Sequence, residues 1–470
     1  MNELIEKRAT EIVGDLRRQE ISPHDLLDAL EQRVELVEGS VNALPTLDFG
    51  AARRKTDALL KKPVDARGLL CGLPLPIKDL THVKGMRTTF GCPIYADNIS
   101  DYSDVMVDRL EREGGIIYAK SNTPEFGAGG NTFNDVFGAT RNPYDLSKSA
   151  GGSSGGAAAA LASGTAWLAQ GSDNAGSLRS PASFCNVVGL RPSLGLIARG
   201  PSPSPYQTLS VNGPMARNVE DIALFLDAMA GEDAQDPLSW TSPYTPFLER
   251  TRRRTKPIKV AFSPDMGITP VDPEVADLCR HAALKFEEMG VIVEEAAPDL
   301  SGVHETYQTL RAFDFATSYG DVLKSHSGSL KPDLVENIEK GINLSIDEVL
   351  RATRSRATIR QRVLSFFETY DLLLTPAAIV PPFPVEQLYV KSCNGVTFET
   401  YIDWLAIAYA ITLVSLPSLS LPCGFTSTGL PVGLQIISGV RNEVGLLENA
   451  LLLEEALALD LRPILPKERA

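Results

Sequence analysis

Ser153 and Ser177 are the residues with nucleophilic chemistry to offer. Both lie in the stretch Ser149 to Arg191, SAGGSSGGAAAALASGTAWLAQGSDNAGSLRSPASFCNVVGLR, and each directly follows a glycine. A serine hydroxyl attacks a carbonyl only if a base accepts its proton. The segment Gly151-Gly152-Ser153-Ser154-Gly155 formally matches the G-x-S-x-G nucleophile elbow. That elbow follows an apolar strand, whereas Asn142-Pro-Tyr-Asp-Leu-Ser-Lys-Ser149 precedes this one. Its histidine would have to be His281, His304 or His326, and none of these stands in a recognisable loop. A nucleotide loop of the form G-x-x-x-x-G-K-[ST] is absent from the chain. A lysine can serve as the base if burial depresses its pKa, by up to ~3 to 5 units in apolar surroundings, until it is neutral. Lys78, which ends the apolar run Leu73 to Ile77, is so placed. Cys185 lies in an apolar setting without a basic neighbour and reads as packing.

The surrounding pattern is that of an α/β protein. Ala157 to Ala162 favours a helix of little bulk, and Trp167-Leu168-Ala169 reads as a short buried strand. Small residues let backbones approach closely, so this glycine–serine stretch is a crowded core and not a solvated tether. Upstream, Ser22, Pro23 and Asp25 mark the cap and first turn of a helix whose Leu26, Leu27, Leu30, Val34 and Val37 share a face. The prolines in Pro74-Leu-Pro-Ile-Lys78 argue against a regular central strand and place Lys78 at a strand end. Val105 to Glu113 is helical, Gly114-Gly115 stops it, and Ile116 to Ala119 is a strand. Asn122 to Arg141 is turn-rich with interleaved aromatics, and Gly200 to Pro205 is an extended connector. A helix from Asn218 to Met229 precedes residues 232–257, whose Pro, Ser, Thr and basic residues suggest an internal boundary.

Beyond it come a strand at Ile258 to Phe262, a helix from Asp272 to Gly290, a strand at Val291 to Val293 and mainly helical sequence from His304 to Phe367. Asp371 to Pro376, Leu416 to Pro422 and Gly429 to Ile437 read as late strands, apolar on both faces as in a helix-covered sheet, before a helix from Glu443 to Leu457. The expectation is one α/β domain: an N-terminal helical segment over 1–65, a core over 66–231, a helical subregion carrying pocket loops over 232–370, and a C-terminal part of the sheet over 371–470.

Composition narrows the partners. A formal net charge of −14 and one short basic cluster, Arg250 to Lys256, argue against nucleic acid. The opening residues are amphipathic and charged, and no run of about 18 apolar residues occurs, so no signal peptide or membrane span is expected and a cytoplasmic location is. Six cysteines without CxxC and five scattered histidines fit reduced thiols and no metal.

Taken together, these residues resemble the amidase signature family. The match is carried by Gly151-Gly-Ser-Ser-Gly-Gly156, Asp173-Asn-Ala-Gly-Ser177-Leu-Arg179, Pro181-Ala-Ser-Phe-Cys185, Gly189-Leu-Arg-Pro192 and, upstream, Pro76-Ile-Lys78-Asp79. Arg141-Asn142-Pro143 and Gly429-Leu-Pro-Val-Gly-Leu-Gln435 extend it over most of the chain. The separations of 75 residues from Lys78 to Ser153 and 24 from Ser153 to Ser177 are those of the family's Ser-Ser-Lys triad.

The resemblance implies a large mixed sheet covered by helices on both faces. It implies Ser177 as the acylated nucleophile, Ser153 as a bridging serine in a cis peptide and Lys78 as the terminal base. It implies an oxyanion hole of the N–H groups of Asn174, Ala175, Gly176 and Ser177, supported by Ser154, Asp173 and Arg179. Gly127, Gly129 and Gly130, in the loop 125 to 134, are expected at the substrate, and Phe133, Tyr206, Trp240, Phe313 and Phe315 are pocket-lining candidates. No cofactor is expected. Two positions depart from the family: Ala175 and Asn186 stand where glycine is usual, and alanine fits only at negative φ.

The implied activity is hydrolysis of a small amide, anilide or carbamate-like substrate through a seryl acyl-enzyme. The alternatives are the amidase subunit of a glutamine-dependent tRNA amidotransferase and a binding protein on an inactive scaffold. Against the first, Ser180 replaces the glutamine of that branch; against the second, Lys78, Ser153 and Ser177 are all present. The sequence leaves the oligomeric state open, a homodimer included.

Overall fold

Pro74 and Pro76 shape the strand that ends at Lys78. Residues 74, 76 and 78 have the same parity along Pro74–Lys78, so on the side where Lys78 presents its N–H the two prolines present none. In the computed structural model, which describes residues 2–241 and 245–468, this strand pairs on its other side, in parallel, with Ile116–Ser121. Thr46–Leu47 completes a three-stranded sheet. Toward the main sheet the only donor of the three is Lys78 N–H, and it binds the Gln170 side chain at 3.0 Å instead of a backbone carbonyl. Lys78 is therefore the last residue of its strand, held against the edge of a second sheet.

That second sheet has eight strands, in the order Ile292–Glu295, Lys259–Phe262, Leu372–Pro376, Pro431–Ser438, Ser418–Phe425, Val188–Arg191, Val211–Ala216 and Leu168–Asp173. The first three run parallel and the remainder pair antiparallel. Every residue of Leu372–Pro376, Pro431–Ser438 and Val211–Ala216 is buried. Successive side chains point to opposite faces, so both faces are covered. The fold is a mixed α/β sheet sheathed by helices, as the sequence predicts.

The alanine run becomes the helix Gly155–Ser163, with every residue buried. Its small side chains permit close approach: a Cβ on Gly156 would lie 2.3 Å from the Asn122 nitrogen and 2.7 Å from the Ala43 oxygen. Ser22 is the expected N-cap, with Pro23 in the first turn of Pro23–Val41, and the Asp25 carboxylate reaches back to the Ser22 N–H to complete a reciprocal capping box. Asn186 adopts φ 55°, a left-handed conformation that asparagine tolerates better than most residues, and its amide donates to Tyr144 Oη at 3.0 Å. This explains how it replaces a glycine.

The segment 232–257 does not separate two units. Lys259–Phe262 and Ile292–Glu295, which follow it, extend the same eight-stranded sheet. Within it, residues 242–244 lie outside the described residues. The helical subregion proper is formed by Val303–His326, Pro332–Ile342 and Ile346–Phe366. Part of it makes a satellite apolar cluster, separate from the main core, in which Phe315, Leu323, Leu334 and Ile338 meet Cys92, Phe126 and Ala128. No helix of the described residues is long and apolar enough to cross a membrane.

Gly156→Ala is expected to destabilise the protein by about 1 to 3 kcal/mol, because the added methyl collides with backbone that cannot swing aside. A urea unfolding midpoint unchanged from that of the parent protein would contradict this account of the helix contact.

Candidate active site

Lys78 is fully buried and has no carboxylate within 4 Å among the described residues. Its Nζ instead faces three hydroxyls: Ser153 Oγ at 2.7 Å, Ser154 Oγ at 2.9 Å and Ser172 Oγ at 3.1 Å. Burial pushes the Lys78 amine down to about 7, with the charge of Asp173 acting in the opposite direction. A neutral amine has two N–H groups and one lone pair. The Ser154 hydroxyl donates its single hydrogen to the Ser172 carbonyl at 3.2 Å, so toward Lys78 it can only accept. The lone pair is left for the hydrogen of Ser153 or Ser172.

Ser153 follows the cis peptide Gly152–Ser153 and is 3 % exposed. Ser177 is 8 % exposed, and its carbonyl accepts from the Ser154 N–H at 3.2 Å. Ser153, Ser172 and Ser177 line one cavity of about 480 Å³. Among the described residues no hydrogen bond joins the hydroxyls of Ser153 and Ser177, a contact that commonly tightens only around substrate.

The loop that carries Ser177 is held by charge. Asp173, Arg179 and Arg191 are fully buried together. The Arg179 guanidinium grips the carboxylate bidentately, Nε to Oδ2 at 3.0 Å and Nη2 to Oδ1 at 2.9 Å, and Arg191 Nη1 reaches Oδ1 at 3.1 Å. Burial alone would raise the Asp173 pKa, but the two guanidiniums outweigh it and hold the carboxyl well below the usual range. Its remaining capacity binds the loop backbone, accepting from Gly176 N–H and Leu178 N–H, each at 3.1 Å. Of the four N–H groups expected to face an oxyanion, that of Gly176 is therefore already engaged. Those of Asn174, Ala175 and Ser177 have no acceptor among the described residues. Ala175 has negative φ, as its side chain requires.

Asn174 is fixed from two sides. Its Oδ1 accepts from Tyr307 Oη at 2.6 Å and its Nδ2 donates to Ser210 Oγ at 2.8 Å. Tyr307 belongs to the helical subregion and stacks on Tyr409 with ring centroids 4.1 Å apart.

The pocket expectations fare unevenly. Gly127 lines the cavity, and a Cβ there would lie 3.4 Å from Ser153 Oγ. Gly129 and Gly130 stand behind it, the first near Lys331 and the second packed on Trp404. Of the five aromatic or apolar candidates only Phe315 lines the cavity. Phe133 faces the Lys331 ammonium, Trp240 bonds the Leu194 carbonyl, and Tyr206 and Phe313 are 72 % and 44 % exposed. The aromatic wall is instead built from Phe90, Tyr95, Phe126, Phe315 and Tyr319, with Phe126 and Tyr319 centroids 4.7 Å apart. The connector Gly200 to Ser204 forms another side. Residue types and spacing alone assign no role to Ser172, Arg191, Tyr307 or Gln435, whose Oε1 accepts from Arg179 at 2.5 Å. Arg191 and Gln435 stand within the matched motifs; Ser172 and Tyr307 carry no local signal.

A family model described as Amidase matches residues 25–447. The chain is 38% identical over 448 residues to an acylamidase of Rhodococcus erythropolis, covering 94% of each. It is 34% identical over 481 residues to a glutamyl-tRNA(Gln) amidotransferase subunit of Moorella thermoacetica, covering 97% of each. Among solved structures, a bacterial aryl acylamidase of the amidase signature enzymes superposes with a TM-score of 0.90 at 27% identity, covering 96% of each chain.

Asp173→Asn is expected to cost about 3 to 5 kcal/mol of stability, because it leaves two buried guanidiniums without their counter-charge. The shift of the unfolding midpoint in denaturant measures it, and a loss near zero would contradict the role given to this cluster.

Proposed function

The chain belongs to the amidase signature family of amide-hydrolysing enzymes, and on that premise we propose that it cleaves a small amide, anilide or carbamate-like substrate through an acyl-enzyme on Ser177. The observation that carries this reading is the environment of Lys78: a buried amine near neutrality, bonded to hydroxyls and to no carboxylate. The lone pair of Lys78 takes the hydrogen of Ser153, which takes that of Ser177 as Ser177 attacks the carbonyl. Negative charge developing on the carbonyl oxygen is met by the free N–H groups of the Asn174–Ser177 loop, where losing one donor costs ~3 kcal/mol of transition-state stabilisation. The proton returns through Ser153 to the leaving amine, and water hydrolyses the acyl-enzyme.

The aromatic wall supports an aryl or bulky apolar group beside the scissile bond, and a cavity of about 480 Å³ accommodates a small molecule. A second reading, the glutaminase component of a tRNA amidotransferase, draws on the 34% identity to one subunit of such an enzyme. The same aromatic wall offers little to a free glutamine side chain. Assaying the purified single chain against aryl amides, carbamates and glutamine separates the two: aryl amide turnover is expected to dominate, and glutamine turnover alone would favour the second.

Two variants and a pH profile test the chemistry. Ser177→Ala is expected to abolish turnover and labelling by a fluorophosphonate probe, and retained labelling would overturn the assignment. Since neutral Lys78 is the competent form, kcat/KM is expected to fall as pH drops through about 7 and to level off above it. A rate independent of pH between about 5.5 and 8.5 would count against a lysine base with that pKa. Tyr307→Phe keeps the ring stack but removes the hydrogen bond to Asn174; it is expected to lower kcat by about tenfold with KM little changed, since the loop it steadies acts on the transition state.

A further inference from the structure

A second pocket, of about 390 Å³, shares no lining residue with the catalytic cavity. Three guanidiniums line it: Arg356, Arg360 and Arg441. In a chain of net charge −14 these would be expected to find acidic partners, yet among the described residues no carboxylate comes within 4 Å of any of them. Asp314 and Glu443 act on Arg356 and Arg441 only from a distance.

Part of this charge has a local task. Arg356 donates to the Leu413 carbonyl at 2.8 Å, Thr208 Oγ1 at 2.5 Å and Ser415 Oγ at 3.2 Å, and Arg360 donates to the Val414 carbonyl, so both cap the C-terminal end of Ala406–Val414. Capping leaves most of Arg360's five donors unused. Arg441 makes no hydrogen bond among the described residues and only lies over the Trp240 ring, 4.5 Å from its centroid. Burial pushes Arg356 and Arg360 below the ordinary arginine value, the mark of positive charge held without full compensation. Ser193, 4 % exposed, also lines the pocket, but its buried hydroxyl is turned to the Glu443 carboxylate and adds no free donor. That carboxylate also accepts from the Ser193 N–H at 2.7 Å.

We infer that this pocket is a binding site for a phosphate group, held by Arg356, Arg360 and Arg441. Guanidinium forks match the spacing of phosphate oxygens, and a doubly charged oxyanion offsets more of three positive charges than a carboxylate does. The group could arrive as inorganic phosphate or on a small phosphate ester. The site is distinct from the serine cluster, so its occupancy can be read without any turnover.

Titration calorimetry on the full chain at constant ionic strength, with inorganic phosphate, glycerol phosphate and acetate in separate arms, tests the inference. One saturable site for either phosphate species, with acetate weaker, supports it, and the tighter of the two identifies the source. Arg360→Gln and Arg441→Gln are each expected to weaken phosphate binding by about tenfold. Arg441 is exposed and makes no hydrogen bond, so Arg441→Gln is expected to unfold at the parent temperature without phosphate, which keeps the test independent of folding. Absence of saturable phosphate binding, acetate binding as tightly, or unchanged phosphate affinity in both variants would overturn it.

Discussion

The buried carboxylate of Asp173 is the constraint on which the site depends. One acid set between two guanidiniums in a dry interior is costly unless every charge is matched and hydrogen-bonded, and here the matching is what builds the loop. Arg179 and Arg191 come from a helix and a strand that follow Ser177 in the chain. Arg179 also reaches the Ala408 carbonyl, Thr412 and Gln435, so two distant elements are tied to the same point. The carboxylate's remaining contacts fix the Gly176 and Leu178 backbone on both sides of Ser177. There is an electrostatic consequence as well. Asp173 favours the charged form of Lys78, but burial outweighs it and the amine sits near neutrality.

The cavity is assembled from two layers of different origin. Its floor, with Ser153, Ser172 and Ser177, rests on the sheet edge and on the helix Gly155–Ser163, where small residues let backbones meet. Its aromatic wall belongs to a satellite cluster joining the Phe90 to Phe126 loops to the helical subregion. Tyr307 crosses between the layers, stacking on Tyr409 while its hydroxyl steadies Asn174. The aromatic wall and the brace on Asn174 are thus linked through one helix, Val303–His326, which carries Phe315, Tyr319 and Tyr307.

Much of this was legible in the chain because its causes are local. The capping box at Ser22, the prolines that end a strand at Lys78, the alanine helix and the late apolar strands are each set by residues within a few positions of one another. The glycine–serine motifs around Ser153 and Ser177 carried the resemblance to the family, with the spacing from Lys78 in support, and Ala175 and Asn186 take the backbone conformations that their side chains allow. Even the strands around Lys259–Phe262 were readable, although the composition of 232–257 suggested a boundary that the continuous sheet does not have.

What the sequence determined by itself was the chemistry available and the elements that carry it, since residue type, capping and periodicity act over short range. Tertiary structure alone decided which groups surround that chemistry. Ser172 faces Lys78 because a strand edge passes it, the Gly176 N–H turns to Asp173 and not to the cavity, and Phe133, Tyr206, Trp240 and Phe313 point elsewhere while Phe90, Tyr95, Phe126 and Tyr319 form the wall. Such neighbours are set by how sheets and helices dock over hundreds of residues, and no spacing along the chain encodes them.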